Sequence, residues 1–79
     1  MSKLSKKLVR AIAEGKVEVQ NSTAGEIGVW VPTMEGTEKR VFIPPYGKAE
    51  LAPKHTEPAQ LKRSRNLHTL LRKGAARVL

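Results

Sequence analysis

Leu4, Leu8 and Ile12 recur four residues apart near the start of the chain, and Lys3, Lys6, Lys7 and Arg10 fill the other sides. This spacing makes a single apolar stripe and predicts a helix over residues 3–13. Ser2 suits its N-cap and Gly15 its left-handed stop. An isolated helix of this length is marginal in water, so the stripe needs a surface to pack on.

The pattern then changes to period two. Residues 16–20 alternate, with Val17 and Val19 on one face, and Asn21 to Gly25 form a turn cluster. Residues 27–31 give a second strand, with Ile27, Val29 and Val31 on one face and Gly28 and Trp30 on the other. A loop with Gly36 near its centre leads to a return strand at 41–43. Matching aliphatic faces proposes a register in which Val31 faces Val41, Trp30 faces Phe42 and Val29 faces Ile43. Both large aromatics then share the face opposite the aliphatic residues.

Pro44 and Pro45 end that strand, because proline lacks the ladder donor and keeps the preceding residue extended. Residues 48–51 fit a short strand with Ala49 and Leu51 inward, and Pro53 to Pro58 fit a loop. Leu67, Leu70 and Leu71 mark a helix that Ser64 can cap and Gly74 can stop. A start near Glu57-Pro58 is the alternative. Residues 76–79 suit a last strand. These elements predict an α+β domain: a small antiparallel β-sheet or partial barrel of three to five strands with a helix near each terminus. Residues 1–15 form a basic amphipathic helix or arm, and 16–79 a small β-rich domain ending in a short helix and strand.

With 79 residues and no cysteine, the chain holds one small domain with no disulfide to reinforce it. Such a domain buries only about 60% of its unfolded surface, so partner contacts can supply part of its stability. No apolar run exceeds three residues, so no segment spans a membrane, and the basic start lacks the apolar run of a secretory signal. A soluble chain of cytoplasmic origin is expected.

The net charge is +8, and its placement is uneven. Residues 1–10 carry Lys3, Lys6, Lys7 and Arg10 with no acid. Residues 62–79 carry Lys62, Arg63, Arg65, Arg72, Lys73 and Arg77, again with no acid. The stretch between them has five bases and seven glutamates. Basic ends can reach a polyanion or an acidic protein surface while the centre folds; they can equally be solvated faces.

Catalytic chemistry is sparse. There is neither cysteine nor aspartate, and His55 and His68 lack metal-ligand spacing. His68 reads as a helix-surface residue and His55 as a loop contact. Each serine has a turn or cap explanation, and no glutamate pair suits acid–base work. No enzymatic activity, catalytic residue, cofactor, metal or small-molecule substrate is expected.

Two binding readings stay open. For nucleic acid, the charge and the polar positions Arg65, Asn66, Thr69 and Arg72 count in favour. Only three aromatics, an uncharged Trp30 strand and the lack of a helix-turn-helix count against. For protein assembly, Trp30, Phe42, Tyr46 and Met34 are types enriched at interface cores. The candidate partner-binding residues are Trp30, Phe42, Tyr46, Lys3, Lys7, Arg63, Arg65 and Arg72. So small a domain also needs its large side chains, which favours the domain's own core for Trp30 and an interface for Tyr46. Charge confined to the ends favours tethering, whereas charge gathered around Trp30 in space favours nucleic acid.

The order of elements over residues 16–79 resembles small accessory virion proteins of tailed bacteriophages, of the head-decoration or head–tail-joining kind. Asn21, Val41 to Gly47, Glu50, Leu67, Leu70, Leu71, Gly74 and Val78 carry it. The basic N-terminal helix departs from that pattern. The resemblance implies a non-enzymatic structural subunit, found in the virion and before assembly in the host cytoplasm. It would be present in many copies and bound to capsid or connector subunits, with nucleic acid a further partner of the basic ends. The alternative is a small basic nucleic-acid-binding or ribosome-associated protein.

Overall fold

The computed structural model describes residues 5–79, so Ser2, Lys3 and Leu4 lie outside the described residues. The first helix, α1 (Lys6–Glu14), buries Leu8 and Ala11 and ends at Gly15 with φ +85°. Five strands follow: β1 (Val17–Asn21), β2 (Ile27–Pro32), β3 (Glu38–Ile43), β4 (Lys48–Ala52) and, after the second helix, β5 (Ala76–Val78). A 3₁₀ helix at Pro58–Arg63 leads directly into that helix, α2 (Arg65–Lys73). The shorter of the two C-terminal helices is therefore the one formed, with the 3₁₀ segment occupying the start of the longer alternative. Ser64 caps it, accepting from the Leu67 N–H at 3.2 Å, and Gly74 stops it at φ +78°.

The fold is α+β, with a helix near each terminus. Its strands divide between two antiparallel sheets, β4-β1-β5 and the hairpin β2-β3, rather than forming one. Both sheets and both helices share one core. Leu8, Val17, Val19, Val29, Val31, Ile43, Leu51, Leu61 and Leu67 are all fully buried in it. The N-terminal helix thus packs on the same core as the β-rich remainder. Among the described residues, no helix is long and apolar enough to cross a membrane.

Three expectations are corrected. The hairpin register places Val29 opposite Val41, Gly28 opposite Phe42 and Trp30 opposite Arg40. This lies two residues from the expected pairing, which keeps every side chain on its expected face but changes its neighbours. The turn explains the shift. Gly36 closes it at φ +84° as the left-handed residue of a Thr33–Thr37 loop and does not sit at the tip. Second, Trp30 is 39% exposed and is no core residue, because the small core is filled by the aliphatic faces of both sheets.

Third, Asn21 belongs to β1 and not to the turn cluster that follows it. It ends β1, fully buried, and its Nδ2 donates to the carbonyls of Gly25 (2.7 Å), Ile43 (3.1 Å) and Pro44 (3.0 Å). Its Oδ1 accepts from the Thr23 N–H and hydroxyl. A buried amide needs such partners, and here they tie the end of β3 to the end of β1.

Candidate functional site

The outer face of the β2–β3 hairpin carries Trp30, Arg40 and Phe42. Side chains alternate along a strand, so the residues between the buried valines must face solvent. Phe42 is 54% exposed. The Arg40 guanidinium carbon lies 5.3 Å from the Trp30 ring centroid and 4.8 Å from that of Phe42. One cation therefore covers both rings, at distances where ring quadrupoles attract it. Gly28 makes room for this arrangement: a Cβ there would run into the Arg40 side chain.

Trp30 is held from behind. Its backbone N–H donates to Asn66 Oδ1 at 3.0 Å, and its carbonyl accepts from the Ser64 hydroxyl. The Thr56 hydroxyl donates to the Pro32 carbonyl. These side chains replace a neighbouring strand along β2. Because the Trp30 backbone groups point away from β3, Trp30 and Arg40 form a non-hydrogen-bonded pair, the kind whose side chains approach most closely.

Arg63 and Arg65 line a depression of about 230 Å³ beside Trp30, together with Glu38, Ser64 and Asn66. Lys7 and Arg72 meet elsewhere, in a depression of about 260 Å³ that also takes in His68 and Arg77. These two groups lie toward opposite ends of α2; Arg65 and Arg72 are about 10 Å apart along its axis at 1.5 Å per residue. Tyr46 is 62% exposed and takes φ +57° in the Pro44–Gly47 turn, a position where glycine or asparagine is usual. Lys3 lies outside the described residues.

Of the basic residues near the chain ends, Arg63 and Arg65 lie beside Trp30 with Glu38, whereas Lys7, Arg72 and Arg77 line the other depression. Sequence reasoning missed Arg40, which sits in the segment with the excess of glutamate. It also missed Asn66 and Ser64 as supports of Trp30 and Gly28 as the space for Arg40. The single ion pair among the described residues joins Lys16 and Glu50 at 4.0 Å, so none of the cations near Trp30 is neutralised by a carboxylate at that range.

His55 lies outside this face. Burial, with Lys39 and Lys54 nearby, holds its pKa below the ordinary value, and its Nδ1 is buried without a hydrogen-bond partner. Among the described residues, no three His, Cys, Asp or Glu side chains gather as a metal-binding group. Compared with family models, curated proteins and solved structures, the chain matches none.

Proposed function

We propose that this chain is a non-enzymatic structural subunit that binds a neighbouring protein through the outer face of its β2–β3 hairpin. The observation that carries this reading is the Trp30–Arg40–Phe42 cluster, with Arg40 laid over both rings. Trp and Arg dominate the energetics of protein interfaces, and a braced cluster loses little side-chain freedom on docking. The same geometry disfavours base stacking on the ring faces that Arg40 covers, since a base would first have to displace it there. Tyr46 is a separate exposed aromatic in a strained turn beside Gln20 and Arg77, a kind of position that clusters at binding sites.

The element order of residues 16–79 supports the virion as the setting, with capsid or connector subunits as partners and many copies per assembly. The hairpin face would then be a decoration or head–tail contact.

A nucleic-acid-binding reading is favoured by one observation, the position of Arg63 and Arg65 beside Trp30. Glu38 in the same depression opposes it, because a carboxylate repels phosphate. Sedimentation of the untagged chain from its native lysate, with and without nuclease, separates the two. A subunit travels with a large particle whatever the nuclease does. A nucleic-acid-bound chain moves to the top of the gradient after digestion.

A further inference from the structure

We propose that Lys7, Arg72 and Arg77 form a binding site for the phosphate backbone of nucleic acid, distinct from the hairpin face. Two parts of the chain far apart in sequence meet there: the first turn of α1, and the last turn of α2 with the β5 strand that follows it. All three residues line one depression of about 260 Å³ together with Leu71 and Val78, no acidic residue lines it, and Arg77 also borders the adjoining depression at Gln20 and Tyr46.

Arg77 is set in place before any ligand arrives. Its Nε and Nη2 donate to Gln20 Oε1 at 3.0 and 2.7 Å. Gln20 is fixed in turn, because its Nε2 donates to the Tyr46 carbonyl at 3.1 Å. Two N–H groups of Arg77 are spent on Gln20, which leaves three of the five guanidinium donors for an oxyanion. His68, on the wall, has its Nε2 3.1 Å from the Lys62 carbonyl. That carbonyl can only accept, so Nε2 carries the proton and the ring is held.

The local charge selects the ligand. Three cations around one depression exceed what a single carboxylate neutralises, and an acidic side chain brings one charge on a flexible stem. A nucleic-acid backbone brings regularly repeated charges to an open surface, and neutralising them releases counterions. The site therefore fits phosphodiester better than an acidic peptide.

The test uses the full chain and a mixed-sequence DNA duplex of about 20 base pairs, with affinity measured across a salt series. Three phosphate contacts predict a log–log salt slope of about −2.7, a loss of about 40-fold between about 50 and 200 mM salt. R72A/R77A should flatten the slope by about 1.8, and R72A alone by about half that. The charge-matched K39A/K54A should leave it unchanged. R72A is the arm that stands if R77A loosens β5, since Arg72 is exposed on α2. Equal loss in K39A/K54A would reduce the effect to bulk charge and overturn the site. So would an unaltered slope in R72A, or binding to polyglutamate as tight as to the duplex. None of these outcomes bears on whether the hairpin face binds protein.

Discussion

Arg40 stands directly across from Trp30 on the neighbouring strand, its guanidinium carbon 5.3 Å from the ring centroid. The same guanidinium reaches Phe42 and occupies the space that Gly28 leaves open. R40A should cost about 1 kcal/mol, from two partly exposed cation–π contacts. An alanine at Gly28 pushes Arg40 away but otherwise favours the strand. G28A should therefore be about 1 kcal/mol less favourable with Arg40 present than in the R40A background. Urea unfolding of the four chains of this cycle measures the difference, and simple additivity would remove Gly28 from the arrangement.

Asn21 is the most connected buried polar group. N21A strips the carbonyls of Ile43 and Pro44 of a side-chain partner and the Thr23 N–H of its acceptor. The expected loss is about 2–3 kcal/mol, read from the urea midpoint.

Ser64 serves two elements, capping α2 and bonding the Trp30 carbonyl. S64A should cost about 1–2 kcal/mol. Hydrogen exchange should accelerate at the Leu67 amide, which loses its acceptor. It should also accelerate at the Trp30 amide, whose partner Asn66 sits in the first turn of α2.

Tyr46 holds a left-handed backbone that asparagine adopts at less cost. Y46N should raise stability by about 0.5–1 kcal/mol while weakening partner binding. A gain in stability with undiminished binding would make the turn a purely structural feature.

His55 makes stability depend on pH. Its folded-state pKa lies below its ordinary value of 6.5, so the unfolded chain binds the proton more readily. Stability should fall as pH drops below about 6.5 and level off once the pH is below the lowered folded value. H55Q should flatten this part of the profile in thermal melts between about pH 7 and 5.

Much of the architecture is legible in the residue pattern, because alternation and capping are local. Val17, Val19, Val29 and Val31 fall at period two, and Ser64 and Gly74 bracket a leucine stripe. The hairpin register was not legible. A two-residue shift keeps Trp30 and Phe42 on one face, so facing alone cannot choose between the alternatives. The left-handed turn at Gly36 decides, and with it the pairing of Trp30 with Arg40. Asn21 looked like a turn residue because its acceptors at Ile43 and Pro44 lie a hairpin away. Trp30 looked like core because the aliphatic volume available to fill the interior could not be judged until both sheets were in place. Lys7 and Arg77 sit near opposite ends of the chain, and only the packing of α1 and α2 against β5 brings them together.

The central claim is that the hairpin face binds a neighbouring subunit. Its most direct test is sedimentation of wild-type and F42D chains from native lysate after nuclease treatment. Phe42 is already exposed, so F42D should fold normally by circular dichroism. Binding through the hairpin predicts wild type in the heavy fractions and F42D at the top of the gradient. Equal sedimentation of the two chains with a large particle, or nuclease release of the wild type, would contradict it.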